Sequence, residues 1–340
     1  VITAEQVREL AFACGFELAG VAAADPHPDY ARYAAWVAAG RAGAMSYLEE
    51  RRGEMRADPR ALLPSARSIV CVGKLYNRPG PYSNACQNGG RGWIARYAWG
   101  ADYHKVLREG LEELAARLRA LEPCETRICV DTAPLLERSY ARSAGLGWIG
   151  KNTCLINEPL GSWFFLGALL TSLELRPDAP PPDRCGTCTR CIDACPTEAL
   201  VPGGGGWLLD ARRCIAYLTI ELKGPIPGDL RELSGNHVFG CDICQEVCPW
   251  NRRAPVTDAF DSRNCAPRLT DLAALDTAAF RERFGGTPVE RARYRGFLRN
   301  VAVAMGNAGD PGLREPLERL AAHDDPLVAE HARRALARLR

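Results

Sequence analysis

Histidine is scarce in this chain: five in 340 residues. That number disfavours a histidine-built metal site, because such sites draw several imidazoles to one point. Methionine is scarcer still, at three. Net charge is nearly absent, at +2, so the chain has no global attraction for polyanions and any nucleic-acid site must be a local basic patch. No uncharged apolar run reaches the roughly 18 residues that cross a bilayer. The stretch around Trp163–Leu173 is shorter and reads as buried structure, so no membrane is expected as a partner. No G-x-G-x-x-G follows the first expected strand, which removes the dinucleotide fingerprint. The Gly203–Gly206 run is not followed by Lys-Ser or Lys-Thr and reads as a flexible loop rather than a phosphate cradle.

Cysteine, by contrast, is abundant at fifteen. With no signal-peptide pattern at its start, the chain is expected in the cytoplasm, a reducing compartment where thiols ligate metal rather than pair. Two runs stand out: Cys185-Gly-Thr-Cys188-Thr-Arg-Cys191-Ile-Asp-Ala-Cys195-Pro196 and Cys241-Asp-Ile-Cys244-Gln-Glu-Val-Cys248-Pro249. Three thiolates at two-residue gaps with a fourth before proline is the bacterial iron–sulfur spacing, in which the fourth cysteine serves the other cluster. Two 4Fe-4S clusters need eight thiolates; the runs supply seven, and Cys214 is the one cysteine between them. Crossed ligation gives one cluster Cys185, Cys188, Cys191 and Cys248, and the other Cys195, Cys214, Cys241 and Cys244. Zinc is the alternative, but it usually pairs two separate C-x-x-C knuckles and stops at four ligands.

Three parts are expected along the chain. Residues 1–178 alternate strands and helices and read as an α/β or α+β unit. Helices are expected over Ala4–Cys14, Tyr30–Gly40, Ala44–Glu50, Lys105–Leu121 and Pro134–Ala144. Strands are expected at Phe16–Ala22, Ser68–Gly73, Thr126–Asp131 and Phe164–Leu173, with a loop over Gly145–Asn152. A stiff proline linker, Pro177–Asp183, leads into a ferredoxin-type domain over 179–255. Residues 256–340 read as small-residue helices separated by Asp310-Pro311 and Asp325-Pro326. They are either repeats of the HEAT type or an ordinary helical cap.

Asp131 ends a buried strand, a usual address for ligand chemistry. Burial there would keep its carboxyl protonated and ready to donate, although Asp131-Thr-Ala-Pro also opens a helix well as an N-cap.

Several stretches together resemble one family, the epoxyqueuosine reductases. They are Arg96-Tyr-Ala-Trp-Gly-Ala-Asp-Tyr-His-Lys, Val130-Asp-Thr-Ala-Pro-Leu-Leu-Glu-Arg, Ala144-Gly-Leu-Gly-Trp-Ile-Gly-Lys-Asn-Thr, Leu209-Asp-Ala-Arg-Arg-Cys-Ile, Gly224-Pro-Ile-Pro, Phe239-Gly-Cys-Asp-Ile-Cys-Gln and Val247-Cys-Pro-Trp-Asn. The resemblance implies cobalamin in the first domain beside two 4Fe-4S clusters. It implies reduction of the epoxide of epoxyqueuosine, in the anticodon loop of tRNA, to the alkene of queuosine. It implies Asp131 as proton donor, Tyr97, His104, Arg138, Asn152 and Thr153 as corrin or substrate neighbours, and an external low-potential electron donor. The tRNA is expected on the clusters Arg291, Arg293, Arg295, Arg299 and Arg333, Arg334, Arg338, Arg340. A cobalamin-dependent dehalogenase-like enzyme and a dicluster ferredoxin relay are the alternatives.

Overall fold

The computed structural model describes residues 2–86 and 89–339. Arg340, one of the expected tRNA-facing arginines, lies outside the described residues. A four-stranded sheet in the order Leu18–Ala23, Ser68–Leu75, Phe164–Thr171, Thr126–Cys129 forms the N-terminal half, and every neighbour is antiparallel. The first unit is therefore of the α+β kind rather than a parallel α/β wrap. The Thr126–Cys129 strand stays short and at the sheet edge, and Asp131 lies just beyond its end.

Helix Tyr103–Leu121 covers one face of this sheet. Leu107, Leu111, Leu114 and Leu118 recur at three- and four-residue steps and are fully buried. Each stabilises the fold by about 1.5–3 kcal/mol relative to an exposed leucine. The helix begins two residues before the expected Lys105 because Asp102 caps it, its carboxylate accepting the His104 N–H at 3.0 Å. That cap fixes His104 in the first turn.

Four local expectations change. Ala44–Glu50 is not an α-helix; a 3-10 turn over Ser46–Leu48 precedes a one-turn helix at Arg51–Glu54. Gly53 sits so close to the Leu48 carbonyl that a Cβ there would meet its oxygen at 2.4 Å. Pro134–Ala144 is helical only from Glu137 to Ser143. The expected Gly145–Asn152 loop carries a two-residue strand, Trp148–Ile149, paired with Leu155–Ile156. Gly203–Gly206 is no floppy loop: Leu200–Gly203 and Gly206–Leu209 pair as a hairpin, and Gly204 and Gly205 turn it at φ +58° and +76°. Two successive positive φ values are what a tight two-residue hairpin turn demands, and glycine supplies them without strain.

The proline linker is tethered. Asp178 accepts from Arg8 at 2.8 Å and from the Val21 amide at 2.8 Å, so the segment runs along the first strand's edge. The largest apolar core joins Trp93, Ile94 and Trp99 with Val238, Phe239, Phe284, Phe297 and Val328. Strand Trp93–Ile94 pairs in parallel with His237–Phe239, so residues from all three expected parts share this core.

Three closing helices, Arg293–Ala308, Arg314–Ala321 and Pro326–Arg338, pack on one another. Arg299 lies in the second turn of the first of these helices. Arg299 is correspondingly not a surface residue: it is fully buried, and its guanidinium donates to the carbonyls of Leu222 at 2.8 Å and Leu218 at 2.6 Å. Burial pulls its pKa down to about 10. It closes the C-terminal end of helix Ile215–Ile220 and cannot be a phosphate contact.

Candidate active site and cluster centres

The strand Thr126–Cys129 delivers Asp131 into a turn, where its backbone takes φ +46°. Asp131 is not a helix N-cap, because the helix opens six residues later at Glu137. Glu137 reaches back instead: its Oε1 accepts the Asp131 N–H at 2.8 Å. A left-handed aspartate costs roughly 1–3 kcal/mol unless its surroundings fix it, and this hydrogen bond is one of the groups that do. The Glu137 carboxyl is pushed up to about 8, by burial first and then by the Asp131 charge.

His104 faces the same loop. Its Nδ1 lies 2.7 Å from Asp102 Oδ1, and its Nε2 lies 3.2 Å from Asp131 Oδ2. The Asp102 and Asp131 hydrogen bonds raise His104 to about 9 against the opposing effect of burial. Burial acts to raise Asp131, but the His104 hydrogen bond and charge, with help from Arg291 and Tyr103, win, and the carboxyl ends below its ordinary value. The expected protonated Asp131 is therefore corrected. In this arrangement the carboxylate is ionised and the proton of the pair sits on the imidazole, because the hydrogen bond and charge of His104 outweigh the effect of burial.

Aromatic side chains frame the pair. Tyr103 stacks on His104 at 4.3 Å and on Phe165 at 4.1 Å, and Tyr97 meets Tyr103 edge-on at 6.3 Å. Both phenols are pushed far up by burial and then by the Asp131 charge. Arg291 arrives from the C-terminal part, its Nη2 3.3 Å from Tyr47 Oη and its guanidinium paired with Glu221. Tyr97, His104 and Asp131 are thus brought together. Arg138, Asn152 and Thr153 are not beside them. Arg138 donates to the Thr153 carbonyl, and buried Asn152 donates to the Cys244 carbonyl at 3.3 Å. These three connect the Asp131 loop to the cysteine turns.

Cys185, Cys188, Cys191 and Cys248 line one cavity of about 330 Å³, with Lys151, Asn152 and Trp250 on its walls. Burial, then Cys185 and Cys248, push the Cys191 thiol up to about 11. Four crowded thiols resist ionising together unless a cationic core neutralises them. Lys151 donates to the carbonyls of Gly186 at 2.7 Å and Cys188 at 3.0 Å, holding this turn in place. The second set is deeper. Cys195, Cys214, Cys241 and Cys244 are close enough that their thiols act on one another's charge. Among the described residues no three Cys, His, Asp or Glu side chains converge on a point that suits a single ion.

Sequence reasoning passed over Glu137, although it lies within a motif already singled out; six residues from Asp131, it is the helix's first carboxylate. Among the described residues no helix is long and apolar enough to cross a membrane.

The fold and its two thiol sets define a double-cluster iron–sulfur protein. A model of the 4Fe-4S double cluster binding domain matches residues 184–251, and that of epoxyqueuosine reductase QueG, DUF1730, matches residues 56–132. The epoxyqueuosine reductase of Xanthomonas campestris pv. campestris is 45% identical, over 98% of this chain and 95% of its own length. That of Escherichia coli K12 is 38% identical, over 98% of this chain and 89% of its own length. A solved epoxyqueuosine reductase bound to an epoxyqueuosine-modified tRNA-Tyr stem loop superposes with a TM-score of 0.88 at 33% identity, covering 98% of this chain and 89% of that one. A Bacillus subtilis structure, captured with its catalytic aspartate loop swung out of the active site, superposes at 0.87 with 32% identity, over 98% and 90% of the two chains. The chain belongs to the epoxyqueuosine reductase family and is an oxidoreductase.

Proposed function

We propose that this chain binds a tRNA carrying epoxyqueuosine in its anticodon loop and reduces the epoxide to the alkene of queuosine. The observation that carries the reading is the Asp131–His104 pair, set on a strained loop and connected through Arg138 and Thr153 to the cysteine turns. The net change takes in an electron pair and two protons, and it releases the epoxide oxygen as water.

Cys185, Cys188, Cys191 and Cys248 would hold one 4Fe-4S cluster and Cys195, Cys214, Cys241 and Cys244 the other, and the two would supply single-electron transfer from an external low-potential donor. Tyr97 and Tyr103 would hold cobalamin, which would supply the cobalt-centred reducing chemistry that iron–sulfur clusters lack. The aromatic wall suits a flat ligand, and both nitrogens of His104 are engaged by carboxylates.

The protein's own part is positional and acid–base. Asp131 presents its carboxylate to the epoxide oxygen, and the proton stored on His104 passes through that carboxylate to the departing oxygen. Asp102 keeps the imidazole oriented, and Glu137 keeps Asp131 aimed. The wobble base leaves a single-stranded loop rather than a duplex, which lowers the cost of extrusion.

Beside the catalytic loop lies a recess of about 450 Å³ bordered by Arg52, Arg108, Arg119 and Arg127 as well as Thr132 and Pro134. Phosphates flanking an inserted base fall naturally against such a basic wall. Arg293, Arg295, Arg333 and Arg334 are available to the rest of the stem loop from the surface of the closing helices. The division at 178 and 255 and the HEAT-type reading of the last helices belong to the same proposal.

The test is anaerobic reconstitution with iron, sulfide and cobalamin, followed by turnover of an epoxyqueuosine-bearing stem loop with a chemical reductant. Mass spectrometry of the nucleoside should record the loss of one oxygen. Intact substrate from fully loaded protein rejects the reading.

A further inference from the structure

Arg52 lies 80 positions before Thr132, yet its Nη2 donates to the Thr132 carbonyl, directly beside Asp131. Among the described residues that carbonyl is the only hydrogen-bond partner of the Arg52 side chain. The turn that carries Arg52 is itself held. Buried Arg56 donates to the Arg52 carbonyl at 2.8 Å, and its guanidinium lies 5.6 Å from the centre of the Tyr33 ring. Tyr33 in turn donates its hydroxyl to the Leu48 carbonyl at 2.5 Å, the same oxygen that Gly53 crowds. Arg52 therefore reaches out from a fixed backbone, although its own side chain is exposed.

The loop it meets has few other holds. Asp131 and Thr132 are exposed, between Cys129 at the end of the edge strand and buried Pro134 and Leu135. Thr132 Oγ1 donates to the Val130 carbonyl at 3.4 Å and the Leu135 N–H to that of Ala133 at 2.8 Å, so both bonds are internal to the loop. Glu137, which accepts the Asp131 N–H, belongs to the helix that the loop leads into. His104 meets only the Asp131 side chain. In the proposed reaction, moreover, the charge attraction between His104 and Asp131 is lost once the proton has left the imidazole. A guanidinium stays charged throughout this range, and a peptide carbonyl does not titrate. The Arg52–Thr132 bond is therefore indifferent to where the proton sits.

We propose that Arg52 is the latch of the Asp131 loop, a positioning residue that keeps the carboxylate in place by holding the Thr132 carbonyl from a separate element. The consequence for turnover rests on the proposed role of Asp131 in the reduction. A guanidinium carries five donors, so Arg52 holds the carbonyl while still bordering the basic recess, and latch and recess share one side chain.

The experiment compares wild type, Arg52→Met, Arg52→Lys and Arg108→Met, each reconstituted without air with iron, sulfide and cobalamin. Hydrogen exchange over the loop is read first without RNA. Then kcat and KM are measured with the modified stem loop. In Arg52→Met, exchange at the Asp131 amide should quicken by roughly ten- to a hundredfold, the usual effect of losing a hydrogen bond from a charged donor. At saturating stem loop, kcat should fall by up to the same factor. Arg52→Lys keeps a charged donor on a long stem and should return most of both wild-type values. Arg108 borders the same recess with no hydrogen bond to the loop among the described residues, so exchange in Arg108→Met should match wild type. Unchanged exchange in Arg52→Met overturns the proposal. So does a rise in KM with kcat intact, which would make Arg52 an RNA contact only. Should the methionine variant fail to fold, Arg52→Gln answers the same question. A wild type with slow loop exchange but no turnover would refute the proposed function, while the exchange comparison still decides the latch.

Discussion

Nε2 of His104 lies 3.2 Å from Oδ2 of Asp131, while Nδ1 of the same ring lies 2.7 Å from Asp102. One imidazole thus bridges two carboxylates, one a helix cap and the other the end of an edge strand. Such a bridge retains its proton at neutral pH, and in the proposed reaction that proton would go to the departing oxygen.

Replacing Asp131 with asparagine removes the carboxylate without removing its volume. Turnover of the modified stem loop should fall by about 10²–10⁴-fold, the usual worth of a positioned proton donor. Iron content and corrin binding should stay as in wild type. Full activity in this variant would refute the acid role.

His104 carries its proton up to about pH 9. A raised histidine is charged below that pH and neutral above it, so rate should decline as pH rises through about 9. The pair's contribution to stability is complete below the ordinary histidine value, near 6.5, and fades through the same upper window. His104→Gln should flatten this limb of the pH–rate profile. A profile unchanged by that substitution counts against a proton store on the imidazole.

Glu137→Ala leaves the Asp131 amide without its acceptor. The expected result is faster hydrogen exchange at Asp131 and a reduced kcat, with stem-loop affinity nearly unchanged because the Glu137 carboxyl is engaged by the Asp131 amide. If exchange at Asp131 stays slow, something other than Glu137 holds the turn.

Cys214→Ala should cost one cluster, with iron dropping by half while the set at Cys185, Cys188, Cys191 and Cys248 remains. Retention of all the iron would remove Cys214 from the ligand set.

Arg299→Met exchanges a buried guanidinium for an apolar chain of similar length and strands the carbonyls of Leu218 and Leu222. Each unpartnered buried acceptor costs about 1–3 kcal/mol. Thermal unfolding should therefore move down by several degrees with no change in the salt dependence of stem-loop binding. A weakened salt dependence would instead return Arg299 to the RNA surface.

Spacing alone made the iron–sulfur sets legible. A thiolate ligand must lie within bonding reach of iron, and short loops between cysteines encode that reach in the chain itself. Counting to eight thiolates is what proposes Cys214 as the remaining ligand. Helix Tyr103–Leu121 was legible for a similar reason, because its leucine stripe repeats at the helical period. Gly203–Gly206 was misread because glycine signals freedom in sequence, whereas a tight hairpin turn uses the same freedom to hold one conformation.

What the sequence by itself determined was the chemistry available: thiols in two cluster-sized sets, and motifs that place the chain in its family. Only the tertiary structure decided how those groups act on one another. It put His104 against Asp131 across 27 positions of chain, and so decided which of them holds the proton. It buried Arg299 under helix-end carbonyls. A residue's type fixes its intrinsic acidity and donors, but its charge state and partners follow from burial and from neighbours that long-range packing alone supplies.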